Sequence, residues 1–378
     1  MTGHLLTLNA GSSSIKFALF EQGGDLTSPQ LSGKVEGVGT GPDSMTHAQA
    51  LAQILQRVGS ARVVGVGHRI VHGGMQYSKS VLVDKAVLDG LGRLEPLAPL
   101  HQPHNLAGVR AAMSTFNGVT QVACFDTAFH ATQPDVNQRF ALPRALHDAG
   151  VRRYGFHGLS YESIMAQLAQ QDPVLAQSRV VVAHLGNGAS LCAIHAGRPV
   201  ATTMSFSPLD GLTMGTRCGQ LDAAVVLYLL QARGMTAEQI TTLLYRESGL
   251  LGLSGVSAVV RVLEASLVPA AADAILHFVE QVVQGLGRMA AAMRGIDALV
   301  FTGGIGENAV ALRGRIMADS AWLGLLPDLG ANQSGRQRIS AAGSAVAAWV
   351  LKTNEESVIA RHTSRVLLQT GRGDPPAA

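Results

Sequence analysis

One pattern occurs twice in this chain: an apolar strand-like run, a short polar turn rich in glycine, and a second apolar run. The first copy occupies residues 4–20, where Leu5, Leu6 and Leu8 lead into Asn9-Ala10-Gly11-Ser12-Ser13-Ser14, and Phe17 to Phe20 close it. The second runs from 179 to 195, with Val180, Val181 and Val182, the turn 186–190, and Leu191 onward. Each predicts a strand–turn–strand hairpin. Backbone N–H groups, hydroxyls and the nearby Lys16 make the first turn attractive to an anion, most naturally a phosphate. The Gly-x4-Gly-Lys-Ser/Thr spacing and the following helix of a P-loop are missing. Taken alone, the segment reads equally well as an ordinary hairpin with a polar turn. Two such hairpins in two halves predict duplicated α/β domains with a ligand between them.

The rest of the chain fits that division. Its 378 residues exceed one comfortable core and suit two domains. A net charge of +3 argues against a general nucleic-acid or membrane-surface binder. The odd count of three cysteines, Cys124, Cys192 and Cys218, with no CxxC pair, predicts a reduced cytoplasmic protein. No signal peptide or membrane span is expected, because no long apolar run occurs.

Helical spacing is read over 44–58, 83–94, 105–116, 161–170, 222–233, 237–245, 271–293, 310–319 and 355–368, and further strands over 31–38, 122–125 and 297–302, while 62–74 runs from a buried strand into a glycine turn. Residues 303–308 read as a glycine turn before a helix, a third phosphate-competent turn. The polar tail 369–378 reads as disordered.

Several phrases together resemble the acetate kinase family of short-chain carboxylate kinases. They are Asn9 to Lys16, Gly67-His-Arg-Ile-Val-His-Gly-Gly74, Leu97 to His101, Phe125-Asp-Thr-Ala-Phe-His130 and Tyr154-Gly-Phe-His-Gly158. The remainder are His184 to Ser190, Gly211 to Gly219, Phe301 to Asn308 and Thr353-Asn-Glu-Glu356. The resemblance covers nearly the whole chain. It implies two ribonuclease-H-like α/β domains facing each other across a nucleotide cleft, as in the actin-like ATPase superfamily. Residues 1–128 with a returning helix in 357–378 would form the N-terminal domain. Residues 129–356 would form a C-terminal domain with the nucleotide site and a dimer surface. It further implies a cytoplasmic homodimer that transfers a phosphoryl group reversibly between ATP and acetate, giving acetyl phosphate and ADP. The cofactor would be Mg²⁺, with Mn²⁺ able to substitute, and no nucleic acid or membrane would be a partner. Propionate and butyrate kinases of the same family are the nearest alternatives; a non-catalytic nucleotide-binding protein is a more distant one.

Carried over position by position, the resemblance makes Asp126, His157 and Arg217 catalytic, Arg69 the carboxylate-binding residue, and Asn9 and Glu355 the metal ligands. Sequence does not separate Glu355 from Glu356; the family pattern favours the first. Lys16, His184, Leu185, Gly186, Asn187, Gly188, Gly304, Ile305, Gly306, Glu307 and Asn308 match nucleotide-contacting positions. The chemistry agrees: phosphoryl transfer needs alignment and charge neutralisation. An Arg fork grips phosphoryl or carboxylate oxygens, and oxygen ligands suit a hard cation. A carboxylate acceptor is already ionised at neutral pH, so Asp126 is read as orienting its neighbours rather than as a base. Ser12 and Ser14 would shape the first turn, and Val71 and Pro208 are candidates for the acyl pocket. Two departures stand out. Val259 and Val262 occupy positions where the family carries acids near adenosine, which predicts looser choice among purine donors. Leu159 and Tyr161 replace the family's usual Thr and His near His157.

Overall fold

The computed structural model describes residues 3–11, 14–39 and 44–371. Ser12 lies outside them, as do residues 372–378 of the tail read as disordered; Gln369 closes the last helix. The described chain forms two compact α/β units. The first comprises the residues up to Ala131, Gly158–Ser163 and the residues from Asn354, and the second Thr132–His157 and Ile164–Thr353.

The first unit is built on a six-stranded mixed sheet. Strands β1 (His4–Ala10), β2 (Ser14–Glu21), β3 (Leu31–Glu36), β4 (Val63–Ile70), β5 (Val81–Leu82) and β6 (Thr120–Phe125) lie in the order β3-β2-β1-β4-β6-β5. The opening hairpin is real: β1 and β2 pair antiparallel, with Asn9 opposite Lys16. β4 and β6 then add parallel to β1. On one face, helix His47–Val58 buries Ala50, Leu51, Ile54 and Val58 in a cluster with Leu6, Phe17 and Val66. It begins at His47 rather than 44 because Thr46 caps it: Gln49 N–H donates to the Thr46 hydroxyl, and Thr46 N–H to the Gln49 side chain. Met45 therefore packs from outside the helix.

Helix Glu355–Gln369 belongs to this unit although it comes last. Val358, Ile359 and Val366 pack with Val122 and Cys124, and Ala360 and Leu367 with Leu5 and Phe20. β4 admits it by giving up side chains. A Cβ on Gly65 would stand 2.7 Å from Leu367 Cδ1, and one on Gly67 would stand 2.6 Å from Ile359 Cγ2. These glycines serve helix–sheet contact.

The second unit repeats the plan with β7 (Arg179–Leu185), β8 (Ala189–His195), β9 (Arg198–Thr202), β10 (Ala298–Thr302) and β11 (Ala347–Val350), ordered β11-β10-β7-β8-β9. Again the first three strands form an antiparallel meander, and the next two run parallel to the first. The duplication read from the two hairpins thus extends to strand order. Helix Pro269–Met293 seals one face with Phe278, Val279, Val282 and Leu286. Residues 303–308 are not a turn, as the glycines suggested: Gly303–Asn308 is itself a helical turn, entered through Gly303 at φ 78°. Glu307 sustains it by accepting from Gly303 N–H at 3.0 Å, which satisfies an amide left without a partner inside the helix.

Cys124 and Cys192 are buried, Cys218 is half-buried, and all three are free thiols. Burial pushes Cys124 up to about 12, which keeps it a small inert hydrophobe. Among the described residues, no helix is long and apolar enough to cross a membrane.

Candidate active site

The first unit gathers its polar residues where β1, β4 and β6 end. Arg69, at the end of β4, is clamped by Asp126 just beyond β6. Arg69 Nε donates to both carboxylate oxygens at 3.1 Å, and Nη2 donates to Oδ2 at 2.5 Å. Burial works against the charge on Arg69, but Asp126 and Glu355 outweigh it and push its pKa up, so it stays a cation. For Asp126, which is 1% exposed, burial raises the carboxyl to about 6 against the pull of Arg69. Arg69 Nη1 reaches Asn9 Oδ1 at 3.4 Å, and Asn9 Nδ2 donates to Glu355 Oε2 at 2.9 Å. Asn9, Arg69, Asp126 and Glu355 therefore form one network. Glu355 is available to it because Asn354 caps the last helix, its side chain accepting from Ser357 N–H at 3.0 Å.

Glu356 joins this group. Its Oε1 is buried without a hydrogen-bond partner, and its pKa is raised first by burial and then by Glu355, with Lys16 and Asn9 opposing. The sequence left Glu356 beside Glu355 unresolved; in the structure both face Asn9's neighbourhood. Among the described residues there is no cluster of three or more His, Cys, Asp or Glu able to cage a metal. An orphan carboxylate oxygen beside Glu355 and Asn9 fits a hard cation that keeps most of its water and takes few protein ligands. Val71 is buried, its N–H donating to Asn105 Oδ1 at 2.9 Å.

The second unit gathers His157, His184, Arg217 and the glycine turn between β7 and β8. His157 takes the left-handed conformation, φ 57° and ψ 24°, at the start of helix Gly158–Gln171. Such a backbone is uncommon for a residue with a Cβ and marks a position held for its side chain. Its Nδ1 lies 2.8 Å from Ser190 Oγ, and its ring stacks on His184 at 4.2 Å. A Cβ on Gly188 would meet Arg217 Nη2 at 2.7 Å and His157 Nε2 at 3.3 Å. The guanidinium and the imidazole thus converge on the turn, and glycine makes the space. Arg217 is anchored from behind by donating to the Pro208 carbonyl.

Beside this turn lies a cavity of about 440 Å³. Gly186, Asn187, Gly304, Ile305 and Asn308 line it, joined by Ala309 and by Val259, Val260, Arg261 and Glu264. Of the residues matched to nucleotide contacts, Lys16, His184, Leu185, Gly188, Gly306 and Glu307 do not line it: Lys16 belongs to β2 of the first unit, and Leu185 and Gly306 are buried. The Glu307 carboxylate is taken up by Gly303 N–H and, at 3.2 Å, by Thr353 N–H. Its work is to hold the helical turn. The sequence reading missed Ser190, which fixes the His157 ring, although it closes the quoted phrase from His184.

Both constellations lie within a span that matches a known family. The family model described as the Acetokinase family matches residues 4–361. The chain belongs to the acetokinase family. Acetate kinase from Methylocella silvestris is 50% identical, over 98% of this chain and 99% of its own. Acetate kinase from Rhodopseudomonas palustris is 48% identical, over 97% and 99%. Among solved structures, Porphyromonas gingivalis acetate kinase superposes with a TM-score of 0.85 at 36% identity, over 97% of this chain and all of that one (100%). A propionate kinase from Francisella tularensis superposes at 0.89 with 34% identity, over 96% and 100%. This acetokinase-family chain is accordingly a phosphotransferase with a carboxyl group as acceptor, and it shares the fold of the solved acetate and propionate kinases.

Proposed function

We propose that this enzyme transfers the γ-phosphoryl group of ATP to acetate, reversibly and in line, forming acetyl phosphate and ADP. The observation that carries the reading is the convergence of Arg217 and His157 on the Gly188 turn, next to a cavity roomy enough for a nucleoside. Charge neutralisation and alignment are what phosphoryl transfer asks of a protein. Arg217 supplies a permanent cation with a planar fork for the equatorial oxygens. When the Ser190 hydroxyl donates to His157 Nδ1, Nε2 carries the proton and donates to the same oxygens. In the first unit, Arg69 offers the N–H groups left over on Nη1 and Nη2 to the carboxylate of acetate, and Asp126 holds the guanidinium in orientation. Acetate arrives ionised, so no base is needed. Asn9, Glu355 and Glu356 would hold a divalent cation, Mg²⁺ or Mn²⁺; when bound it screens the phosphate oxygens. Lys16 adds charge of the same sign.

In this reading the first unit carries the acid and the metal, and the second carries the nucleotide. A homodimer is supported by helix Ala223–Gln231, which buries none of its residues and exposes Leu227, Tyr228 and Leu230. A second copy would cover this face. Three free thiols support residence in the cytoplasm. At the donor cavity, the half-exposed Val259 side chain offers no hydrogen bond, so other purine triphosphates serve nearly as well as ATP.

The test is incubation with ATP, Mg²⁺ and hydroxylamine across acetate, propionate and butyrate, scoring acyl hydroxamate. Acetate is expected to give the highest kcat/KM. A propionate optimum would move the substrate up by one methylene, a change worth only about 1–3 kcal/mol in an apolar pocket. No product with any acid would refute the kinase reading.

A further inference from the structure

His157 and Arg217 reach the Gly188 turn from two separate segments of the second unit, and neither residue lies within a strand or a helix. Both segments lean on one bend, 205–211. The Ser205 carbonyl accepts from Tyr154 N–H at 3.0 Å and from Gly155 N–H at 3.1 Å, just ahead of His157. The Ser205 hydroxyl, on a residue 1% exposed, donates to Asp210 Oδ2. Asp210 Oδ1 accepts from Gly211 N–H at 2.8 Å, so both oxygens of this carboxylate hold the bend closed. Arg153 Nη1 stands 3.9 Å from Asp210 Oδ2, a second link to the segment that carries His157. Within the bend lies Pro208, whose carbonyl accepts from Arg217 Nη1. Gln220 N–H then returns to the Gly211 carbonyl at 2.8 Å, which closes the loop that bears Arg217. A carboxylate suits this place because it presents two acceptors and no donor, one for a hydroxyl and one for a backbone amide, and its charge strengthens both bonds.

We infer that Asp210 and Ser205 are positioning residues: their bond fixes the bend and through it sets His157 and Arg217 together at the transferring phosphoryl group. This rests on the reading that gives His157 and Arg217 that role. The Ser205 carbonyl serves the first and the Pro208 carbonyl the second. Opening the clasp therefore displaces the imidazole and the guanidinium at once, as two separate anchors would not. None of residues 205–217 lines the cavity assigned to the nucleoside, so donor binding is left alone.

Steady-state kinetics by the hydroxamate assay, on the wild type, Ser205→Ala, Asp210→Ala and the double variant, tests this. Each single variant should lower kcat about tenfold to a hundredfold, the cost of a small misplacement near transferring groups. The KM for ATP should not move, a split that loss of fold alone would not produce. Because both side chains act through one bond, the double variant should lose no more than the worse single one. Asp210→Asn, which keeps an acceptor for Gly211 N–H, should retain more kcat than Asp210→Ala. Ser205→Ala removes a single hydroxyl and leaves Asp210, whose side chain is 36% exposed, in reach of water, so this variant folds. Unchanged kcat in Ser205→Ala, a loss that appears in the KM for ATP alone, or losses that multiply in the double variant would each overturn the inference. Arg217→Ala, assayed beside them, separates two failures. If it loses kcat while the clasp variants keep it, only the clasp falls; if it keeps kcat, the role of Arg217 falls as well.

Discussion

Acid should loosen the strand that carries Arg69, and the size of the effect follows from two buried rings. His68 is 3% exposed and His72 is 0% exposed. His68 Nε2 lies 2.8 Å from Gln121 Oε1, and Gln121 Nε2 donates to the Val119 carbonyl, so the ring must donate through Nε2. His72 Nδ1 instead accepts from Gly74 N–H at 2.9 Å, a bond that a proton on Nδ1 would destroy. Burial lowers both rings to about 4; the Gln121 bond opposes this at His68 but does not cancel it. A histidine depressed in the folded state contributes stability that is present above the unfolded value, about 6.5, and lost as pH falls toward about 4. Between about pH 8 and about pH 5, each ring therefore removes about 2 kcal/mol and the pair about 4 kcal/mol. Urea unfolding at the two pH values measures this. His68→Gln and His72→Asn should each lose about 2 kcal/mol less on acidification than the wild type, whatever their stability at about pH 8. Either ring titrating near 6.5 in a histidine NMR experiment on the folded protein would refute the reasoning.

Three further outcomes follow from contacts already described. Gly188→Ala places a methyl 2.7 Å from Arg217 Nη2 and should cut kcat about a hundredfold with the fold intact, since small misplacements near transferring groups are costly. Unchanged kcat would mean that Arg217 is not needed there. Asp126→Asn should lower kcat/KM for acetate and abolish the inflection near pH 6 expected in the wild-type pH–rate profile, because burial holds Asp126 at about 6; an inflection retained in the variant would assign it to another group. Gly67→Ala drives a methyl against Thr363 and Ile359 and should destabilise the first unit by about 1–3 kcal/mol in thermal unfolding.

The parts of the fold legible in the sequence were those written in apolar runs. β7 was read at its observed ends, and helix Pro269–Met293 to within two residues at its start, because each is long and periodic. The short strands β5, β9 and β11 were not, since a few residues at a sheet edge or under a neighbouring helix carry no period. Gly303–Asn308 was misread because glycines in that number signal a turn, while the helical turn there is secured by Glu307, through contacts that include one to Thr353, far along the chain. At the site, Arg69, His157 and Arg217 could be found from their glycine-flanked phrases. Ser190 closes one such phrase, yet its part shows only once the fold brings the His157 ring to 2.8 Å from it.

The final helix also sets an order of events. Asn9 and Glu355 meet across 346 positions of sequence, and the sheet face that includes Leu5 and Val122 is covered by residues beyond 354. Loop closure over such a span comes late in folding. During synthesis, the first sheet emerges early and must wait with an apolar face open, while the second unit, Thr132–His157 and Ile164–Thr353, can complete its own core. The growing chain therefore carries its greatest aggregation hazard at its oldest end. The carboxylates beside Asn9 arrive last, so a chain halted anywhere before residue 355 has no means of assembling the network of Asn9, Arg69, Asp126 and Glu355.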